Sequence, residues 1–412
     1  MFKELIVPGS RSSAFSLRIA FIVALLSMVA PFSIDTYLPS FPDIAQELAA
    51  SPLQMQQTLS FYLLGFAVTM LFYGPLSDAV GRRHVAIAAL TLYTISSALS
   101  ALSNDIHMLI ATRIGQGMSA SAGVVVGRAM IRDVFAGHHA QRVMARVMMI
   151  FAIAPAIAPM IGGWLHELFG WRSVFWFLTL LGVALIVMLA MATPETLPRE
   201  GRHSFHPRHV LRVYLQALRH RRFVGLTAVF ASMFGGFFLY VASSPAIIYE
   251  HLHLGPDDFW VMFVPMVAGI MGGSILTSRL AGKVTPVRTV NLGFMVMGGA
   301  ALLNVLQSYA LTASPVSVIG PLVMYALGSS LAMPGLSLMA MDCFPHNRGM
   351  AAAVQGFTQM SFNAVVAGAV VPIVSHAVHT LALAMLGMSL VAFAIWWLVE
   401  HFTADPAAAH TP

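Results

Sequence analysis

The chain has 412 residues, of which 58% are hydrophobic and only 9% charged, whereas a soluble domain carries roughly 25% charged residues. That balance excludes a water-solvated globular surface, and the single cysteine, Cys343, excludes an internal disulfide or a zinc–thiolate module. The net charge of +6 does not indicate nucleic acid as a partner, because the basic residues sit in short connections between apolar runs and form no stripe interleaved with aromatics.

A bilayer demands helical runs of about 20 apolar residues, since unpaired backbone groups find no water there. Breaking the sequence at charges and at Pro/Gly/Asn clusters predicts such runs over 17–41, 53–76, 83–103, 107–131, 142–165 and 172–193. Six more follow over 223–248, 258–281, 286–308, 316–340, 348–374 and 376–399. The expected fold is an all-α membrane protein of twelve transmembrane helices in two pseudo-symmetric six-helix bundles, 1–193 and 223–412. They are separated by a cytoplasmic central loop, 194–222, that holds Arg199, Arg202, Arg208, Arg212, Arg219, Arg221 and Arg222. Lys3, Arg11 and Arg18 precede the first run as they would a secretory signal, but eleven further spans follow and no clear cleavage site does, so it reads as an uncleaved first helix.

Placing the central loop in the cytoplasm puts all but two of the 22 basic residues, Arg113 and Arg172, on that side, with both termini. Trp164, Trp171, Tyr249, Trp260 and Tyr309 then fall at outer ends, where amphipathic rings anchor at the headgroup level.

Two charges defy the apolar solvent, which costs about 2.5 to 3.5 kcal/mol each even on the lenient insertion scale. Asp35 interrupts the first run and Arg113 the fourth. At about 1.5 Å rise per residue, each lies on the order of 9 Å below the expected outer edge, so the two opposite charges are level. They serve either as a buried ion pair that fixes helix register or as part of a substrate and proton path, the second reading being preferred. In the eleventh run Gln355, Gln359 and Asn363 recur every four residues and share a face, either bordering a cavity or bonding between helices. In the fifth, Ala154, Ala158 and Gly162 allow close backbone approach while Pro155 and Pro159 weaken the hydrogen-bond ladder, the pattern of a packed but bendable helix.

The segment Gly74-Pro75-Leu76-Ser77-Asp78-Ala79-Val80-Gly81-Arg82-Arg83-His84 resembles the signature loop of the major facilitator superfamily, with Gly74, Leu76, Asp78, Gly81, Arg82 and Arg83 matching its pattern. Arg113-Ile114-Gly115-Gln116-Gly117 resembles the family's fourth-helix motif. Ala154 to Gly163 resembles the fifth-helix antiporter motif, with Ala158 where glycine is usual and Gly162-Gly163 at its end. Ile34-Asp35-Thr36-Tyr37-Leu38-Pro39 and Ile131-Arg132-Asp133-Val134-Phe135 are similar to the bicyclomycin-resistance and chloramphenicol-efflux branch of drug/proton antiporters.

The resemblance implies alternating access in a bacterial inner (plasma) membrane, with cytoplasmic solute leaving as protons enter. It implies a transporter rather than an enzyme, with no cofactor, no catalytic residue, no metal and a monomeric state. Asp35 is the expected proton carrier and Arg113 its counterpart; burial favours the neutral acid and a neighbouring cation the carboxylate, so the two effects oppose. Expected substrate contacts are Asp35, Tyr37, Arg113, Gln116, Phe237, Gln355, Gln359 and Asn363. Gating is expected from Gly74, Asp78, Gly81, Arg82, Arg83 and Asp133 at the cytoplasmic mouth, and from Pro155, Pro159, Gly162 and Gly163 in the fifth helix. The 27 methionines suit soft, repackable surfaces for varied apolar guests, although lipid-facing methionine is equally cheap. The 16 histidines, including His203, His206 and His209, mostly lie in connections without completing carboxylates and read as solvated. An exporter of a sugar or amino acid is the alternative function.

Overall fold

The structure, a computed structural model, describes residues 13–198, 200, 202 and 207–402. Lys3, Arg11, Arg199, His203 and His206 lie outside them. The chain divides into two compact units between residues 206 and 207.

The first unit holds six long helices: α1 (Ser13–Asp35), α2 (Pro52–Val80), α3 (Arg82–Ala101), α4 (Ile106–Val134), α5 (Gly137–Phe169) and α6 (Arg172–Ala192). The second holds α7 (Arg221–Ala242), α8 (Trp260–Leu280), α9 (Pro286–Ala310), α10 (Pro315–Asp342), α11 (Arg348–Val365) and α12 (Val378–Phe402). Side-chain caps set several starts: Ser51 accepts from the Gln54 amide, Asp105 from Met108, Thr285 from Arg288 and Ser314 from Ser317.

Among the described residues, eleven helices are long and apolar enough to cross a bilayer. The remaining expected span, α4, has 29 residues, more than enough for a hydrocarbon core of about 30 Å. Arg113, Arg128, Arg132 and a run of serines and glycines make it too polar to face lipid. It has no need to, because α1, α2 and α3 pack around it. The second unit repeats the plan, with α10 packed against α7, α8 and α9. α3 also packs against α6, and α12 against α9 and α7.

Several boundaries differ from the sequence expectation: the helices expected to end near residues 248 and 374 give way to other helical elements after Ala242 and Val365, and three further differences bear on the rest of the structure. The first α-helix stops at Asp35 rather than near residue 41, because Pro39 has no N–H to donate to the Asp35 carbonyl. A 3₁₀ turn, Leu38–Ser40, and a short helix, Phe41–Glu47, then continue outward. The segment from Gly74 to Val80 is helical, so Asp78 sits on the last turn of α2 and the connection narrows to Gly81, whose φ of +113° is a conformation favouring glycine. The expected central loop contains a helix, Pro207–Arg219.

Glycine lets α4 sit in contact with its neighbours' backbones. A Cβ on Gly117 would overlap the Tyr62 carbonyl of α2, one on Gly65 the Ile114 carbonyl, and one on Gly123 the Leu26 carbonyl of α1. Gly117→Leu should therefore push α2 from α4 and lower stability by about 1–3 kcal/mol, the usual cost of overpacking, seen as a lower thermal midpoint in detergent. Gly298→Ala, with open space around it, should leave the midpoint unchanged. Equal midpoints for both variants would refute this account of the α2–α4 contact.

Candidate functional site

Arg113 of α4 is fully buried. Its Nη1 donates to the Ser33 carbonyl of α1 at 2.9 Å and to the Gln116 side-chain carbonyl one turn on. The guanidinium carbon lies 4.3 Å from the centre of the Tyr37 ring and 4.4 Å from that of Tyr62, so the cation is held between two aromatic faces. Such contacts contribute about 2 kcal/mol or more when desolvated. Nε and Nη2 are buried without a hydrogen-bond partner among the described residues.

Asp35 ends α1, only 4% exposed. No ion pair of 4.0 Å or less joins it to Arg113, which instead bonds the carbonyl of Ser33, two residues before it. Tyr37 is hydrogen-bonded through its hydroxyl to Thr58. Gln116 donates to Ser97 of α3 at 2.8 Å, and the Ser33 hydroxyl meets Tyr93 of α3 at 2.7 Å. Sequence reasoning found Asp35, Tyr37, Arg113 and Gln116 but missed Ser33, Thr58, Tyr62, Tyr93 and Ser97. Their one signal is hydroxyl groups in otherwise apolar helices.

The other expected substrate contacts belong to the second unit. Gln355 and Asn363 of α11 are buried and Gln359 is half-buried. Gln355 accepts from Ser337 of α10 at 3.1 Å, while its amide nitrogen and the Asn363 carbonyl oxygen have no partner among the described residues. The stripe thus bonds between helices and retains unused polar capacity, so both expected roles have a physical footing. Phe237 is buried on α7 with its ring 5.5 Å from Phe234.

At the end of the first unit bearing Gly81, Arg82 makes an ion pair with Asp78 one turn back and another with Asp133 of α4 at 3.1 Å, and donates to Ser77 at 2.7 Å. Thr196 also donates to Asp133, at 3.1 Å. Arg83 donates to the Ala190 carbonyl at 2.6 Å, capping the C-terminal end of α6. Gly74 has open surroundings apart from Val125. Sequence reasoning missed Glu195, which accepts from the Arg82 amide at 2.8 Å and from His84 at 3.2 Å, placing a carboxylate at the N-terminus of α3. Burial alone pushes its pKa up, but hydrogen bonds from the Leu197 amide, His84 and the Arg82 and Arg83 amides outweigh it and hold the carboxyl below its ordinary value. A depressed folded-state pKa means that this clamp contributes fully above the ordinary carboxylate range and is lost as pH falls through the folded value.

In α5, Pro155 and Pro159 lie inside an otherwise continuous helix. A Cβ on Gly162 would overlap the Thr36 carbonyl, so α5 touches the residue after Asp35. Gly163, next along, is buried. One turn on, His166 meets Ser40 and Asp43, each at 3.2 Å. Of the expected interfacial rings, Trp164, Trp260 and Tyr309 are exposed, but Trp171 is buried and donates to Glu47 at 2.6 Å. That indole is a hydrogen-bond strut rather than a lipid anchor.

The sequence pattern that defines the Major Facilitator Superfamily matches residues 23–372. An uncharacterized MFS-type transporter of Bacillus subtilis, YdgK, is 31% identical over 85% of this chain and 87% of its own length. A bicyclomycin resistance protein homolog of Haemophilus influenzae is 31% identical over 64% of this chain and 66% of its own. The multidrug resistance protein MdtL of Escherichia coli is 28% identical over 81% and 83%. Among solved structures, a D-xylose-proton symporter shares the fold with a TM-score of 0.73 at 15% identity, over 92% of this chain and 97% of that one. The human organic anion transporter MFSD10 does so with a TM-score of 0.67 at 18% identity, over 92% and 99%. With its apolar helices and these bacterial relatives, this is a multi-pass protein of the inner membrane, a transporter and not an enzyme. The chain belongs to the major facilitator superfamily.

Proposed function

We propose that this transporter exports small, largely apolar, drug-like molecules in exchange for protons, as a monomer powered by the proton gradient without a cofactor. The observation that carries the reading is the Asp35 carboxyl, buried and unpaired with Arg113, in the same unit as a buried guanidinium that keeps two nitrogens, Nε and Nη2, without a hydrogen-bond partner among the described residues. A buried carboxyl without a fixed counter-ion has a low barrier to changing its charge as access alternates. Relatives named for bicyclomycin and multidrug resistance support drugs as cargo and outward transport as direction.

In this scheme, solute leaves outward when Asp35 takes a proton, and the proton departs toward the cytoplasm. Deprotonated, Asp35 competes for the free Arg113 donors, and Gln116 and the tyrosine faces hold the cation when Asp35 is neutral. The solute contacts are Tyr37 and Gln116 in the first unit and Phe237, Gln355, Gln359 and Asn363 in the second. A bend at Pro155 or Pro159 reaches the carboxyl through the Gly162–Thr36 contact. Arg82, held by Asp78 and Asp133, latches the cytoplasmic side, with Gly81 shaping that turn, Arg83 tying it to α6 and Gly74 two helical turns back in α2.

Acid-loaded inverted vesicles test the cargo and the carrier together. A transported drug should alkalinise the lumen, and Asp35→Asn should reduce that signal more than 10-fold with folded protein undiminished. Full proton-coupled export by Asp35→Asn would sink the assignment of the carrier. A response to a sugar or amino acid but to no drug would replace the cargo while leaving the exchange intact.

The latch is best tested by a double-mutant cycle with Arg82→Gln and Asp133→Asn. A charge swap would restore the pair with Asp133 but set a new carboxylate beside Asp78. Coupling of about 0.5–3 kcal/mol in transport rate is expected for groups in contact. Strict additivity would remove Asp133 from the latch.

A further inference from the structure

The helix Pro207–Arg219 has no role in the transport scheme, yet its construction is specific. It packs against α7 and α11, and Ala217 is completely buried. Two large apolar side chains on it, Leu215 and Leu218, remain 47% and 54% exposed. At 100° per residue these two lie 60° apart, with Arg212 and Arg219 beside them on one edge of the helix, two turns apart and both exposed. Gln216 is exposed farther round. One face therefore meets protein, the next is apolar and open, and the next is cationic.

Connectivity fixes where this helix lies. His220 alone separates it from α7, and the imidazole accepts from the Phe223 amide to start the spanning helix. His220 and Phe223 meet Phe344, between α10 and α11, in edge-on contacts with centroids 5.3 and 5.2 Å away. The helix thus turns off at the mouth of a spanning helix, on the side where the positive-inside rule puts the cytoplasm. Arg221, also exposed, and Arg222 add charge at the turn.

Water is a poor solvent for two adjacent exposed leucines, and a helix with an apolar face bordered by arginines is the form that lies in a headgroup layer. We infer that Pro207–Arg219 is an interfacial helix that binds anionic phospholipid of the cytoplasmic leaflet. Leu215 and Leu218 enter the acyl boundary, and Arg212, Arg219 and Arg221 contact headgroup phosphates. The charge complementarity selects lipid over a protein partner.

The test uses the full chain in nanodiscs, on a Cys343→Ser background, with spin labels introduced singly through Leu215→Cys, Leu218→Cys, Gln216→Cys and Arg212→Cys. With one-third phosphatidylglycerol in phosphatidylcholine, labels at 215 and 218 should collide with oxygen, and those at 212 and 216 with a water-soluble nickel chelate. Nickel accessibility at all four positions would overturn the proposal, and so would immobilisation at 215 and 218 that is independent of lipid, the signature of a protein partner. Native mass spectrometry should find phosphatidylglycerol retained by the unlabelled protein. Arg212→Gln with Arg219→Gln should weaken that retention by roughly 5-fold per arginine. Unchanged retention in the double variant, with the protein folded, would remove the arginines from the lipid contact.

Discussion

A guanidinium sealed in the interior of a membrane bundle has no water to solvate it, and the first unit is organised around meeting that demand. Arg113 takes a backbone carbonyl from α1, an amide oxygen from its own helix and two aromatic faces, one from the turn after α1 and one from α2. Gln116 passes the constraint to Ser97 on α3. A shift of α1 by one residue would carry the Ser33 carbonyl away, and a slide of α2 would withdraw the Tyr62 ring. The cation therefore fixes the register of three helices on α4, and Gly117 beside it brings the α2 backbone into direct contact. Two of its nitrogens, Nε and Nη2, remain without a hydrogen-bond partner among the described residues.

The second unit solves the same packing problem without charge. Its central helix α10 uses Tyr325, whose hydroxyl donates to the Met233 carbonyl of α7 at 3.1 Å and accepts from Ser389 of α12 at 3.2 Å. Tyr240 of α7 is hydrogen-bonded to Asn304 of α9. These are neutral links, and two of them, α10 to α7 and α9 to α7, join helices in the same chain order as α4 to α1 and α3 to α1 in the first unit. Among the described residues, the buried charges, Asp35, Arg82 and Arg113, all belong to the first unit, and the second has buried amides, Gln355 and Asn363, with spare polar atoms.

Much of this was legible in the sequence because the bilayer simplifies the code. Apolar runs longer than a soluble protein tolerates marked the spans, and a charge inside such a run, Asp35 or Arg113, stood out without any structural knowledge. The fourth span was read as an apolar run over 107–131 although it carries Arg113 and Arg128, and its polarity is explained by the helices packed around it. What escaped were the partners: Tyr62, Tyr93 and Thr58 are ordinary helix residues until tertiary packing turns them inward. Glu195 escaped because its role depends on a chain reversal that brings the end of α6 to the start of α3. The helix Pro207–Arg219 escaped because an amphipathic run rich in arginine reads as a loop when the search is for apolar length.

The basic residues that set the topology have two distinct physical fates. Arg82 and Arg83 are consumed by the protein: one is buried among carboxylates and a serine, the other caps α6, and both donate their amides to Glu195. Arg212, Arg219 and Arg221 are exposed, on and just beyond a helix that also bares leucine. A charge already paired inside the fold contributes little to attraction toward an anionic surface, whereas an unpaired exposed one keeps all of it within a Debye length of about 8 Å. The positive excess on the cytoplasmic side is therefore not uniform: the signature turn spends it on internal structure, and the connecting helix holds it available for the membrane.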